Sequence, residues 1–452
     1  MDNMIIDRKV KPQPNGKVNF KLPEIQIFTL DNGLKVYYVH KNTLPITQVN
    51  LIIHSGSRYD FSDESGLAQL TSMLIDEGAG NLTGLEIDNE IELLGSILSI
   101  DSAKEYSSIS LLSLNENIHR SLELFTLILQ EPNFNEVDFK REKEKLITHI
   151  LQQNDNPAYI ANTEFKSYLF NNTPYKFPNT GLTKTVEKIT NNSVQKFYQE
   201  NYLPSNTSLI IVSGSDEHEI YSLAQRYFGN WKTSKKVESL KVNFKNSEKK
   251  IILIDKPDAS QSELKIGHLS KSRKSKDFYA ASVMNSILGG QFSSRINLNL
   301  REDKGYTYGA HSSFSYNSFG GYFSVSSSVK TENTGDAIKE ILFELENIKS
   351  TVTQKEVEFA KSYLIRRYPA LFETYSQLAS NLSLIPIFDL DKDYFDNYTD
   401  NISKVTIEDV SKAANDNILL DNLTIVIVGD KTKVLKQLND FSSFCIIEKS
   451  VE

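Results

Sequence analysis

Apolar and polar positions follow two different periods along this chain, and the periods divide it into strands and helices. Runs with alternating apolar residues predict strands at 25–30, 34–40 and 49–55. Between the first two runs, Asn32 and Gly33 form a dipeptide typical of a hairpin turn. Leucines three and four positions apart predict a helix at 65–74. Further strands are predicted at 98–102, 106–114 and 209–212, and further helices at 85–94, at 117–130, from 157 onward and at 189–198.

The second half of the chain repeats the first. The four residues that begin at Glu136 recur from Glu356, and apolar runs that end at Gly214 and Gly429 close the two halves. The repeated segments stand about 220 positions apart and keep the same order. We therefore predict an α+β protein of two tandem homologous domains, each a sandwich of helices on a mostly antiparallel sheet. The predicted parts are an N-terminal arm (1–24), a first domain (25–232), a polar linker (233–250) and a second domain (251–452).

Composition narrows the function classes. A chain of 452 residues suggests more than one core, and a formal net charge of −8 argues against a nucleic-acid-binding surface. No apolar run approaches the ~18 residues of a membrane span, and the N-terminal residues do not resemble a signal peptide. We expect a cytoplasmic protein, or a periplasmic or exported one whose signal has been removed. The single cysteine, Cys445, is expected to be buried beside apolar neighbours.

Candidate chemistry concentrates in residues 288–309, LGGQFSSRINLNLREDKGYTYG. Gly289 and Gly290 end a helical pattern, and a charged turn from Arg301 to Gly305 precedes a strand pattern that contains Tyr308. An arginine before such a turn and a tyrosine early on the next strand can point into one cleft and grip a peptide carbonyl or carboxylate. The residue types also fit a solvated turn and an aromatic side chain packed on a sheet.

This segment resembles the second-half signature of pitrilysin/insulinase-type zinc peptidases, especially the short two-subunit kind that includes mitochondrial processing peptidase. The resemblance covers residues 25–430 and implies a half-shell of two domains, with an active site shared between two such chains. It implies that Arg301 and Tyr308 reach the substrate and that Gly289, Gly290 and Phe292 line the cleft. A plain helix stop explains the glycine pair as well.

The same resemblance identifies where the chain departs from the family. Catalytic members carry His-x-x-Glu-His after Gly-Leu-Ala, with both histidines and a later glutamate as zinc ligands and the inner glutamate as general base. Here the histidine positions hold Gln69 and Met73, the glutamate position holds Ser72, and the third ligand position falls on His149. Amide, thioether and hydroxyl groups hold zinc poorly, so we predict no metal or other cofactor in this chain. His149 is instead expected to pair with Glu142, seven residues earlier on the same helical face.

Three hypotheses about function follow. The first is a non-catalytic, substrate-binding subunit of a heterodimeric zinc peptidase that hydrolyses peptides or unfolded polypeptides. Its partner would be a homologous subunit with an intact His-x-x-Glu-His motif and the zinc ion, to which Arg301 and Tyr308 would contribute in trans. The isolated chain could form a homodimer through the same surface. The second is a structural or assembly protein with this fold and no catalytic role. The third is a self-sufficient hydrolase rebuilt around His149.

Overall fold

The computed structural model describes residues 16, 18, 20–61, 63–232, 240, 242–245 and 248–450. Most of the predicted N-terminal arm (1–24) and much of the predicted linker (233–250) lie outside the described residues. The domain boundaries therefore stay predictions.

The described residues of the first half form a six-stranded sheet with helices on it. Its strands are β1 (Ile25–Thr29), β2 (Lys35–His40), β3 (Ile46–Ile53), β6 (Ile97–Ser102), β7 (Ser107–Leu114) and β8 (Thr207–Ser213), and a separate two-stranded ribbon contains β4 (Gly78–Ala79) and β5 (Leu82–Thr83). The helices are α1 (Leu67–Leu74), α2 (Gly84–Leu93), α3 (Ile118–Gln130), α4 (Glu136–Gln153), α5 (Pro157–Leu169), α6 (Thr183–Val186), α7 (Asn191–Asn201) and α8 (Glu217–Phe228). The strand order is β1-β2-β8-β3-β7-β6, and only β2 and β8 pair in parallel.

The described residues of the second half form another six-stranded sheet. Its strands are β9 (Lys250–Asp255), β10 (Gln261–Ser270), β11 (Thr307–Asn317), β12 (Gly320–Lys330), β13 (Thr424–Gly429) and β14 (Cys445–Ser450). The helices are α9 (Phe278–Leu288), α10 (Arg295–Asn297), α11 (Thr334–Asn347), α12 (Gln354–Arg367), α13 (Tyr375–Leu382), α14 (Leu384–Phe388), α15 (Tyr398–Lys404), α16 (Ile407–Asn417) and α17 (Lys431–Val434). The order is β11-β12-β10-β13-β9-β14, with β9 parallel to both of its neighbours.

The two sheets confirm the predicted duplication. Five strands of the first sheet, β2-β8-β3-β7-β6, match β9-β13-β10-β12-β11 of the second in order and in the direction of every pairing. The sixth strand differs, because β1 joins β2 as an antiparallel hairpin whereas β14 joins β9 in parallel from the far end of the chain. The predicted fold class, tandem α+β domains with mostly antiparallel sheets, is confirmed.

Each half covers one face of the other half's sheet. Phe165 of α5 belongs to an apolar cluster that contains Val426 of β13, in the second sheet. Leu378 of α13 belongs to a cluster that contains Ile210 of β8, in the first sheet. The opposite face of each sheet packs against helices of its own half. Burial of apolar area across both junctions fixes the position of one half against the other.

Two local predictions have opposite outcomes. The Asn-Gly hairpin is confirmed, since β1 and β2 pair across a turn in which Gly33 has a φ of +89°. The expected burial of Cys445 is wrong. Its side chain is exposed because β14 is the edge strand of its sheet and most of its residues face away from the core.

Among the described residues, no helix combines the length and the apolar run that a bilayer crossing requires.

Candidate functional site

The end of α9 places the candidate segment against β11. The backbone N–H of Ser312 on β11 donates to the carbonyl of Gly289 at 2.9 Å. A Cβ at position 289 would lie 2.6 Å from that backbone nitrogen, so only glycine allows this approach. Gly290 donates to the Asn285 carbonyl at 2.7 Å and ends the helix. Both glycines therefore have a structural reason to be present, and their predicted contact with substrate stays a prediction.

A braced turn holds the backbone of Arg301. Residues Leu298–Asp303 form a π-helical turn directly after α10, and Leu300 within it is buried. Arg295 binds the Glu356 carboxylate through two nitrogens, at 2.6 and 2.9 Å, which ties α10 to α12. Lys304 pairs with Glu340 at 2.8 Å on the other side of the turn. The backbone of Arg301 is thus fixed at both ends.

The Arg301 side chain is only partly engaged. Its guanidinium carbon lies 4.6 Å from the ring centroid of Phe292, a ring that is itself 65% exposed. Its nearest carboxylate is that of the adjacent Glu302, at 3.5 Å. An arginine held over an aromatic face keeps its N–H groups, which lie in the plane of the guanidinium, free for other acceptors. Phe292 therefore orients Arg301 without using its donors.

Tyr308 stands at the start of β11, where the strand is irregular. The register between β11 and β12 shifts between Thr307 and Ala310, which marks a β-bulge. The Thr307 hydroxyl supports the bulge by donating to the Ser328 carbonyl at 2.7 Å and accepting from the Gly309 N–H at 3.1 Å. Tyr308 is 92% exposed. A bulge that re-aims a side chain is a common device beside binding sites.

Arg301 and Tyr308 line the same open cavity, of about 520 Å³. The other residues that line it also belong to the second half: Ser260, Gln261, Gly305, Tyr306, Thr307 and Lys330. Phe292 contacts Arg301 but does not line this cavity, and neither does Gly289 or Gly290. The cavity thus joins a guanidinium and a phenol, as the sequence predicted, while their role toward a substrate stays a prediction.

The exposed edge of β11 is a feature that the sequence analysis did not find. β11 is the outermost strand of the second sheet, next to β12 only. An edge strand offers unpaired N–H and C=O groups to an additional extended peptide, although in β11 the N–H groups of Ala310 and Ser312 already donate to Asn297 and Gly289. Edge position depends on the pairing of distant segments, so no local pattern in the sequence could have revealed it.

The positions that would ligate zinc do not fit a metal. The Ser72 hydroxyl is buried in α1 and donates to the Ala68 carbonyl at 2.8 Å. Met73 packs against the core of the first half, Gln69 is half-buried, and His149 is exposed on α4. Zinc sites in proteins use thiolate, imidazole and carboxylate ligands, of which this set offers one imidazole. Within the described residues, no group of three or more His, Cys, Asp or Glu could hold a metal ion.

The expected pair between His149 and Glu142 is wrong. Glu142 is buried and forms ion pairs with Arg141 and Lys145, each at 3.2 Å. Its carboxylate also lies near Glu77, and burial together with this neighbour raises the pKa of Glu77 to about 6. Two basic residues on the same helix are better partners for a buried carboxylate than a histidine two turns away.

Comparisons with known proteins point to one protein family. The model of the insulinase family (peptidase family M16) matches residues 35–181, and the model of the peptidase M16 inactive domain matches residues 188–364. A Helicobacter pylori protein named "Non-peptidase homolog YmxG" is 23% identical over 408 residues, 88% of this chain and 92% of that protein. A Rickettsia felis "Uncharacterized zinc protease" is 25% identical over 353 residues, 77% of this chain and 82% of that protein. The crystal structure of a peptidase M16 inactive domain from Pseudomonas fluorescens has a TM-score of 0.85 and 25% identity, and covers 90% of this chain and 98% of that one.

The chain belongs to the M16 peptidase family. The family predicted from the sequence is thus confirmed. The M16 insulinase match spans Gln69, Ser72, Met73 and His149, so the altered positions lie inside a recognisable peptidase domain. Arg301 and Tyr308 lie inside the match to the inactive domain. This M16 chain therefore has the folds of both halves, and the assignment of Gln69, Ser72, Met73 and His149 to the zinc-site positions stays a prediction.

Proposed function

We propose that this M16 chain is the non-catalytic, substrate-binding subunit of a heterodimeric zinc peptidase that acts on peptides or unfolded polypeptides. A homologous subunit with an intact His-x-x-Glu-His motif would hold the zinc ion. One contrast carries the proposal: Arg301 and Tyr308 line an open cavity with free donors, while Gln69, Ser72 and Met73 are unsuited to zinc.

Arg301 would bind the peptide through its guanidinium fork. Among the described residues its one carboxylate neighbour within 4 Å is Glu302 at 3.5 Å, so several N–H groups remain for a peptide carbonyl or a C-terminal carboxylate. The Phe292 ring limits the rotamers of the side chain, which lowers the entropy lost on binding. This arrangement supports a positioning role for Arg301.

Tyr308 would donate its phenolic proton to the same peptide. Its side chain is 92% exposed, and the structure records no hydrogen-bond partner for its hydroxyl among the described residues. A donor placed at a carbonyl that gains negative charge stabilises the transition state more than the ground state. The phenol would therefore lower the barrier to peptide hydrolysis at a site completed by the partner subunit.

Part of the β11 edge is available to a substrate backbone. The N–H groups of Ala310 and Ser312 already donate to Asn297 and Gly289, so a peptide could add as a further strand only beyond Ser312. Such binding reads backbone rather than side chains, which suits unfolded polypeptides. We also propose that the protein acts in the cytoplasm, or in the periplasm or outside the cell if an export signal is removed from it.

Reconstitution tests the proposal. The purified chain alone is expected to hold no zinc and to cleave no peptide, and mixing with a cognate zinc-bearing M16 subunit is expected to give a zinc-dependent peptidase. Arg301→Ala and Tyr308→Phe should each lower that activity without loss of assembly. A homodimer of the isolated chain is compatible with the proposal, because it would use the surface meant for the partner.

A structural or assembly role is the second candidate, and the similarity to a protein named "Non-peptidase homolog" favours it. A structural role predicts one of two results. Either the reconstituted peptidase keeps full activity in the Arg301→Ala and Tyr308→Phe variants, or mixing the subunits gives no peptidase activity at all. A hydrolase rebuilt around His149 would instead cleave peptides alone and stop on addition of a chelator. The exposed position of His149, away from any described cluster of ligands, argues against that reading.

A further inference from the structure

A second cavity, of about 320 Å³, lies where the two halves meet. Helix α5 and residues 170–180 form one wall, and Ser315 and Asn317 of β11 with Tyr322 of β12 form the other. Three lysines line it, Lys104, Lys166 and Lys176, together with asparagine, threonine and aromatic side chains. Among the described residues that line this cavity, none is an aspartate or a glutamate.

Two of these lysines, Lys166 and Lys176, have no ion-pair partner among the described residues. Lys104 donates to the Phe177 carbonyl at 2.8 Å, and burial lowers its pKa to about 8 although the Asp60 carboxylate opposes that change. Asp60 is occupied by the backbone N–H groups at the start of α1. Lys166 and Lys176 lie near aromatic rings, at 5.9 and 4.8 Å from their centroids, and no described carboxylate lies within 4 Å of either ammonium group. Unpaired ammonium groups in a partly enclosed site favour an anionic ligand.

The face of the second sheet that adjoins the cavity at Tyr322 also carries polar and basic side chains. In the strand register Ser326 lies opposite Lys265 on one side and His311 on the other, so the three side chains share a face. Ser324 is two residues from Ser326 and shares that face too. The hydroxyl groups of Ser324 and Ser326 are buried without a hydrogen-bond partner. Burial and the charge of Lys166 lower the pKa of Lys265 to about 8.

Nearby carboxylates do not neutralise this surface. Glu105 lies next to Lys104 in sequence but already accepts from Arg58 and Ser318, each at 2.9 Å. Glu263 shares a strand with Lys265, and no ion pair within 4 Å joins them. The cavity and the adjoining face therefore combine free cations with unpaired hydroxyl donors.

We propose that the cavity lined by Lys104, Lys166 and Lys176 binds carboxylate groups of an acidic peptide. The proposal rests on the proposed function for taking the ligand to be a peptide. β11 connects the two sites, since Tyr308 stands at its start and Ser315 lines the lysine cavity. Seven residues of extended chain span roughly 23 Å. One peptide of that length can thus contact both sites without pairing with Ala310 and Ser312, whose N–H groups are already bonded. Acidic residues at the end remote from Arg301 would be selected.

Direct binding to the isolated chain tests the inference without any partner subunit. A fluorescein-labelled peptide with four glutamates is compared with the same peptide carrying glutamines, by fluorescence anisotropy at two salt concentrations. Lys166→Met and Lys176→Met are the test variants. Lys412→Met, on the exposed face of α16, is the matched control. Thermal unfolding checks that each variant is folded.

The acidic peptide is expected to bind about tenfold more tightly than its amide counterpart, with an advantage that shrinks at high salt. Each test variant should remove most of that advantage, while Lys412→Met keeps it. Equal binding of the two peptides, or equal loss in Lys412→Met, would overturn the inference. Displacement by inorganic phosphate at concentrations similar to the peptide would also overturn it, because the cavity would then take any small anion. Failure here leaves the Arg301 and Tyr308 assay unaffected, so the two proposals fail separately.

Discussion

One buried carboxylate connects the two halves of the chain, and its removal should be measurable. Glu105, between β6 and β7, is 7% exposed. Its oxygens accept from Arg58 at 2.9 Å, from the Tyr175 hydroxyl, and from the backbone N–H and hydroxyl of Ser318 at 2.9 and 3.0 Å. Ser318 stands in the turn between β11 and β12, so this carboxylate joins the first half to the second.

Replacing Glu105 by alanine leaves the Arg58 guanidinium buried without a counter-charge. Loss of one partner of a buried pair costs about 3–5 kcal/mol, which is a large part of a typical unfolding free energy. Replacing both partners, as in Arg58→Met with Glu105→Leu, removes the uncompensated charge. The double variant should therefore recover at least about 1 kcal/mol of the loss, because apolar replacement of a whole buried pair is often neutral.

Urea denaturation measures these differences, with circular dichroism and the fluorescence of Trp231, the single tryptophan, as probes. The matched control is Glu346→Ala, which removes a 63% exposed partner of Lys349 and should change the unfolding free energy by less than about 0.5 kcal/mol. If Glu105→Ala were no more destabilising than Glu346→Ala, the connection between the halves would not depend on this carboxylate.

Two further predictions concern the second half. Burial lowers the pKa of His268 from 6.5 to about 4. As the pH falls below 6.5, the imidazole of the unfolded chain is protonated before that of the folded chain. The folded state therefore loses stability on acidification. The contribution of His268 to the unfolding free energy should fall by about 2 kcal/mol from pH 7 to pH 5, measured as the difference in pH dependence between the wild-type chain and His268→Gln. An NMR titration of His268 near pH 6.5 would contradict this. Gly289→Ala should cost about 1–3 kcal/mol through contact with Ser312, whereas Gly309→Ala, with its nearest neighbour at 3.7 Å, should be tolerated in the same denaturation assay.

The tandem architecture could be predicted because both halves repeat strong local patterns. The apolar runs that end near Gly214 and Gly429 became β8 and β13, which occupy matching central positions in the two sheets. The site segment was found for a similar reason, since its glycines, charged turn and aromatic strand follow one another in the sequence. Patterns confined to a few tens of residues can be interpreted from the sequence without knowledge of the distant contacts in the fold.

Features that depend on distant segments could not be predicted. The sixth strand of each sheet comes from a different end of its half, and α5 covers the sheet of the other half. The exposure of Cys445 follows from the edge position of β14, which no local pattern records. Lys104 is far from Lys166 and Lys176 in the sequence, and the cavity that they line is completed by Ser315, Asn317 and Tyr322 of the other half.

The most direct test of the central claim measures kcat/KM of the reconstituted peptidase with three forms of this chain: wild type, Arg301→Ala, and Glu302→Ala as the control. Loss of a donor aimed at developing negative charge typically costs about 10²–10³ in rate, and we expect a decrease approaching that range for Arg301→Ala alone. Equal kcat/KM in the two variants, at equal assembly, would show that this subunit contributes no group to the shared site.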